Sequence, residues 1–334
     1  MRLFLKRLLL FLLIPVLLLA AVYLVTDPYK TLRPFSLAYF DATNRDYLSS
    51  ELFLMNYPEQ KYDSYIFASS RGCGINTYHW AKYLPDGSRQ FLFQAWSESL
   101  VGIDQKVSYI DERDYPLNNA LILLDIPDVF DKKQVQTDAL SIKDPRISHQ
   151  SRWIHQSILF YDFAQKPSQW LRAVQRWVSP SPTIVSFDPV TNDWDKENHN
   201  KDLTIPPVKD SLCQMSPLTR SVFLKEISEA PDSSWMSPPL ITKEHFITLK
   251  HIKDVFEKRS TDYKVVIAPG YYQTSPAISS KDLECLRSIF GEDKVFDFSG
   301  KNDLTADYNN FSDPGHFGLY VGWYMIEDIY GGGV

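Results

Sequence analysis

Tyr65-Ile66-Phe67-Ala68-Ser69-Ser70-Arg71-Gly72 reads as a buried strand that runs into a polar turn. Four apolar residues without a polar interruption suit a strand covered on both faces, the pattern of a parallel sheet. The run stops at two serines, with a glycine two positions on, and serine and glycine favour turns. The same grammar recurs outward from it. Apolar, β-rich runs at 90–94, 120–125, 263–268 and 295–298 alternate with helix-like stretches at 75–83, 101–112, 241–259 and 281–290. Within 101–112 the apolar positions Val101, Ile103, Val107 and Ile110 fall on one helical face, and Phe246, Leu249, Ile252 and Phe256 repeat the pattern. Strands alternating with helices predict an α/β fold, a parallel sheet flanked by helices on both faces. Active groups in such folds gather beyond the carboxyl ends of the strands, where Ser69 and Ser70 sit.

The amino terminus has a different character. The chain of 334 residues carries a formal charge of −6, yet its first 34 residues hold Arg2, Lys6, Arg7, Lys30 and Arg33 against Asp27 alone, a net of +4 that leaves −10 for the body. An acidic body argues against nonspecific nucleic-acid binding, which needs cationic surface. Residues 8–25 contain no charge, and at about 1.5 Å per residue they would cross most of a ~30 Å hydrocarbon core. The cations ahead of them keep the amino terminus in the cytoplasm and send the body across. A single-pass anchor is therefore expected over 1–26, with a connector over 27–60 that has helical potential around 47–55, and a body over 61–334. A cleaved signal peptide is the rival reading. Ala20-Ala21 permits cleavage, but the exit through Tyr23-Leu24-Val25-Thr26-Asp27-Pro28 is not a clean small-x-small site.

Residues 131–240 break the strand–helix rhythm. They are punctuated by Pro180, Pro182, Pro206, Pro207, Pro238 and Pro239, and hold Trp153, Trp170, Trp177, Trp194 and Trp235. A helical stretch at 151–178 should split at Pro167, because proline removes a helical donor and clashes with the preceding turn. The region reads as an inserted helical and irregular cap or partner-binding surface, in which tryptophans either pack or offer a sugar-stacking platform. The acidic string Asp188, Asp193, Asp195 and Glu197 lacks calcium-loop spacing and reads as solvated surface. Cys73, Cys213 and Cys285 are too few for a disulfide framework. A Cys213–Cys285 bridge is compatible with an extracytoplasmic body, and Cys73 reads as a small buried thiol.

A second string, Phe311-Ser312-Asp313-Pro314-Gly315-His316-Phe317, precedes a final helix at 318–330. A serine hydroxyl becomes a useful nucleophile when a base accepts its proton and a carboxylate fixes that base's tautomer. Ser70, His316 and Asp313 supply the three roles if the fold joins the chain's two ends, with Ser69 as the alternative nucleophile. Either string alone is ordinary turn chemistry; the pair, at the first strand and before the last helix, is far more specific. His79, His149, His155, His199, His245 and His251 are scattered without ligand spacing, so neither a metal nor a cofactor is expected.

On these two strings the chain resembles the SGNH (GDSL-type) hydrolases, in the branch whose nucleophile block reads G-S-S-R or G-S-S-E. That branch includes membrane-anchored envelope proteins similar to the D-alanyl transfer protein of teichoic acid biosynthesis and the alginate and peptidoglycan O-acetyltransferases. The block is Ala68-Ser69-Ser70-Arg71 here, and Asp313 and His316 match the family's D-x-x-H. Phe296-Asp297-Phe298-Ser299 ahead of the Asp-Pro-Gly-His turn is also typical of the branch. The resemblance covers roughly 60–130 and 240–330. It implies a flavodoxin-like three-layer sandwich and an extracytoplasmic serine esterase or O-acyltransferase. The implied substrate is an envelope glycan or acyl donor, with a membrane-bound acyltransferase as donor partner. Two departures stand out: Ala68 replaces the block's glycine, and no Gly-x-Asn-Asp string follows the third strand, where Leu124-Asp125-Ile126-Pro127-Asp128 stands instead. The resemblance therefore leaves the oxyanion hole to the Ser70 N–H with Gln94 or Ser97. A non-catalytic assembly or glycan-binding protein on the same fold is the competing expectation.

Overall fold

A computed structural model describes residues 2–35, 44–131, 139, 142–179, 187–194, 217–233 and 235–331. In chain order the elements are α1 (Arg2–Thr26), α2 (Arg45–Gln60), β1 (Ser64–Ala68), α3 (Thr77–Trp80), β2 (Gln90–Gln94), α4 (Leu100–Glu112), β3 (Asn119–Leu124), α5 (Asp128–Asp131), α6 (Pro145–Ser148), α7 (Arg152–Ala164), α8 (Pro167–Val178), α9 (Pro217–Glu229), α10 (Lys243–Arg259), β4 (Asp262–Ile267), α11 (Ser280–Phe290), β5 (Val295–Asp297) and α12 (Leu319–Tyr330). A short 3-10 turn, Ser70–Gly74, follows β1.

The strands form one sheet in the order β2-β1-β3-β4-β5, parallel throughout. Side-chain alternation sorts each apolar run between two faces. Tyr65, Phe67, Phe93, Ile122 and Val265 pack with Phe53 of α2, Val107 of α4 and Phe256 of α10. Ile66, Leu92, Leu123 and Val266 pack on the other face with Trp80 of α3 and Val321 and Met325 of α12. The result is the expected α/β architecture, a helix–sheet–helix sandwich. The chain steps from β1 outward to β2 and then back across to β3, so the loops after β1 and β3 border the crevice where such sheets place their ligands. Ser70 lies on the first of those loops and Asp125 on the second.

The segment expected as a connector does more than connect. Asn44 caps α2 by accepting from the Tyr47 N–H at 3.0 Å, and Leu48, Leu52 and Phe53 are fully buried. Asp46 sits in a buried ion cluster, 2.8 Å from Lys106 of α4 and 3.3 Å from Lys143. Glu98 pairs with both lysines. Burial alone would raise the Asp46 carboxyl, but the two ammonium groups outweigh it and hold the group below its ordinary value.

Parts of the expected cap also belong to the body. Besides Lys143, residues 187–194 line the sheet's edge: the Leu92 N–H donates to the Thr191 carbonyl at 2.9 Å, and Asn192 Nδ2 donates back to the Leu92 carbonyl at 2.6 Å. This covers an otherwise open strand. Asp188 and Asp193, expected on solvated surface, are buried. Asp193 accepts from the Thr77 N–H at 2.9 Å and from the hydroxyls of Thr77 and Thr191, and burial pushes its carboxyl up to about 6. Asp195 and Glu197 lie outside the described residues, as does Cys213 of the proposed bridge. Among the described residues no cluster of side chains is arranged to hold a metal ion. The helical stretch splits at Pro167 as expected, into α7 and α8.

The last turns of α1 dock on that pair, with Leu19, Val22 and Tyr23 against Leu159, Phe163 and Trp170. Among the described residues no helix is long and apolar enough to cross a membrane. The expected N-terminal span therefore has no support from the described residues; the side chains at 8–10 and 12 of α1 lie outside them.

Removing one member of a buried ion cluster leaves its partners uncompensated, which typically costs about 3–5 kcal/mol. Lys106→Met should lower the urea unfolding free energy of the chain by that amount. A loss under about 1 kcal/mol would mean that the cluster does not hold α2 to the body.

Candidate active site

Ser70 ends the run from β1 because Ser69 diverts the backbone. The Ser69 hydroxyl accepts from the Arg71 N–H at 3.2 Å and donates to Asp125 Oδ2 at 3.0 Å, which starts the 3-10 turn. Ser69 is thus buried and occupied, and its neighbour is turned outward. The Ser70 hydroxyl lies 2.7 Å from His316 Nε2. His316 Nδ1 in turn donates to Asp313 Oδ2 at 2.8 Å. With the proton on Nδ1 held by the carboxylate, the Nε2 lone pair faces the serine. The structure brings Ser70, His316 and Asp313 together across 246 positions, and distinguishes Ser70 from Ser69.

Asp313 is itself fixed by its turn. Its Oδ1 accepts from the backbone N–H groups of Gly315 and His316 at 2.9 and 3.0 Å. Burial would raise its carboxyl, but the His316 ring and these two donors outweigh burial and hold it below the ordinary value. The imidazole and the carboxylate are about two-fifths exposed, 41% and 39%, so a bulky substrate can reach them. The loop is pinned from behind: the Pro314 carbonyl accepts from the Tyr271 N–H and the Ser275 hydroxyl, each at 3.0 Å.

Two features joining the ends of the chain were not anticipated. Arg71 forms a buried ion pair with Asp125 at 2.7 Å, and its guanidinium lies so close beneath Gly315 that an added methyl there would sit 3.3 Å from it. Burial raises the Asp125 carboxyl, with Arg71 opposing. The pair links the loops after β1 and β3 to the histidine loop. The second feature is backbone-to-backbone contact. A methyl on Gly322 of α12 would overlap the Gly74 carbonyl, and one on Gly74 would overlap Phe317. Only glycines let the serine turn and the helix after His316 approach so closely. A lone glycine inside a helical pattern was the available signal.

The oxyanion donors fare differently. The Ser70 N–H stands at the first position of the 3-10 turn that follows β1. Gln94 does not serve as expected. It is fully buried, and its amide end lies 2.6 Å from Arg45 Nη2, where only the amide orientation with the oxygen toward the guanidinium satisfies both groups. The strand's last residue points into the layer beneath, where Arg45 needs an acceptor. Ser97 is exposed on the turn after β2 with φ +50°. Cys73 is partly buried, with its thiol 3.4 Å from Gln94, and burial raises its pKa. It is not poised as a nucleophile. A cavity of about 340 Å³ lies elsewhere, bordered by Arg33, Tyr47, Arg146 and His155, and touches none of the three residues.

No family model matches this chain, and none of the curated proteins matches it.

Gly322→Ala should destabilise the chain by about 1–3 kcal/mol, the usual cost of overpacking, and thermal unfolding would register it. A neutral substitution would show that the helix approaches the serine turn less closely. A pH dependence also follows. Asp313 in the folded chain titrates below its unfolded value of 3.8, so its pairing stabilises fully above that value and is lost as pH falls through the lower folded one. The stability that the parent holds over Asp313→Asn should therefore shrink as pH falls below 3.8; a difference that persists undiminished into that acid range would contradict the pairing.

Proposed function

We propose that the chain is a membrane-anchored, extracytoplasmic serine esterase or O-acyltransferase acting on a cell-envelope polysaccharide. The observation that carries this reading is the 2.7 Å approach of Ser70 Oγ to His316 Nε2, with Asp313 2.8 Å behind the ring. The Ser70 oxygen attacks an acyl carbonyl while His316 takes its proton. The oxyanion that forms accepts from the Ser70 N–H. Collapse expels the alcohol, which takes the proton back from His316, and leaves an acyl-Ser70 ester. In the second half His316 removes a proton from water or a sugar hydroxyl, whose oxygen then takes the acyl group and frees Ser70. Resemblance to envelope acyl-transfer proteins supports the transfer outcome, with a membrane-bound acyltransferase as donor partner. The uncharged stretch 8–25 behind three cations supports the anchor and a body outside the cytoplasm.

One observation favours a binding module on the same fold. Gln94 is turned to Arg45, which leaves the oxyanion one evident donor, and a missing donor typically costs about 100- to 1000-fold in rate.

A fluorophosphonate probe separates the readings. The folded parent should label at Ser70, and Ser70→Ala should abolish labelling. Ser69→Ala should keep the label and lose about 1 kcal/mol of stability with its cap. Asp313→Asn should slow labelling by about 1,000- to 10,000-fold through loss of the correct tautomer. An unlabelled but folded parent would favour the binding module.

A further inference from the structure

We propose that the α7–α8 hairpin lies flat on the membrane surface beside the exit of α1, its aromatic and aliphatic side chains at the headgroup boundary and its arginines on lipid phosphates. The proposal rests on the reading that α1 lies in the bilayer. One side of α8 is accounted for by the protein, since Ala173 and Trp170 face α1 and α7. Leu171 and Val178 lie on a separate stripe and are 77% and 66% exposed; Trp177, on the packed stripe but at the helix's end, is 54% exposed, and Trp153 at the start of α7 is 85% exposed. Two surface tryptophans beside bare aliphatic side chains on one hairpin suit the bilayer interface, which favours both.

Charge points the same way. The body is strongly acidic, yet residues 152–178 hold Arg152, Lys166, Arg172 and Arg176 against Asp162 alone, a net of +3. A cationic, apolar face on an acidic protein matches an anionic bilayer surface.

Position supplies the third argument. The hairpin grips the last turns of α1 from Leu19 onward, about 10 Å of helix before Thr26. That depth equals the reach of an interfacial helix into the headgroup and acyl boundary. The grip is directional. Tyr23 donates to Gln156 at 2.9 Å, and Tyr29 donates to Asp162 at 2.5 Å. The Asp27 carboxylate accepts from the N–H groups of Thr31, Leu32 and Arg33 just beyond the helix. The body is thus braced against the bilayer by two elements at a fixed depth, instead of swinging on a tether.

The test places photoreactive p-benzoylphenylalanine at one position at a time in the full-length chain, reconstituted into phosphatidylethanolamine–phosphatidylglycerol vesicles. The positions are Leu17 on α1, Leu171 and Trp177 on α8, and the exposed Tyr324 on α12, across the sheet. After irradiation, mass spectrometry counts phospholipid adducts. The proposal expects adducts at Leu17, Leu171 and Trp177 at least tenfold above Tyr324. Adducts at Leu17 with Leu171 and Trp177 at the Tyr324 level overturn the hairpin's membrane contact and leave the anchor standing. No adduct at Leu17 overturns the anchor, and the proposal with it.

Discussion

The contact between Ser70 Oγ and His316 Nε2 spans 246 positions of sequence, and much of the architecture serves to keep it. β1 delivers the serine to the carboxyl edge of the sheet at the point where strand order reverses. α12 and the loop before it deliver the histidine. The two meet because Gly74 and Gly322 carry no side chain where the backbones touch. The hydroxyl and the imidazole are held by packing of the whole helix, and a hydrogen bond worth about 1 kcal/mol does not have to assemble the site.

Beneath this contact lies a layer of buried charge. Asp125 and Arg71 tie together the loops after β1 and β3 and the histidine turn, while Asp46, Glu98, Lys106 and Lys143 tie α2 to α4 and the segment before α6. Such groups stabilise little compared with apolar packing, but each is costly to leave unpaired. They therefore penalise alternative arrangements of the loops, so that one geometry at the edge of the sheet is strongly preferred. Ser69 belongs to this layer and Ser70 stands just above it, which is why adjacent serines have different surroundings.

The sheet was legible because a parallel strand buried on both faces must be apolar along its length, and each of the five runs lies within one or two residues of a strand. The meeting of Ser70, Asp313 and His316 was legible because a serine-activating histidine and carboxylate call for those residue types at turns. Gln94 was misjudged for a reason sequence conceals: a polar residue at a strand's end can face the crevice or the layer below, and Arg45, distant in sequence, decides which. The ion cluster was invisible for the same reason, since its members come from three separate stretches of the chain. Asp188 and Asp193 looked like surface because an acidic string usually is; hydroxyls of Thr77 and Thr191 allow Asp193 to be buried. Residues 44–60 read as a connector because their apolar positions are interspersed with Arg45, Asp46, Ser49 and Ser50, all buried.

The account's central claim is that His316 and Asp313 make the Ser70 oxygen a nucleophile. Incubation of the folded chain with an activated acyl ester, rapid acid quench and peptide mapping by mass spectrometry tests it most directly. The account predicts one acyl group on the peptide containing Ser70, retained on Ser70 and absent from Ser69 and Cys73 when the fragments are resolved. A folded chain that acquires no acyl group, or acquires it on another residue while Ser70 stays free, would contradict it.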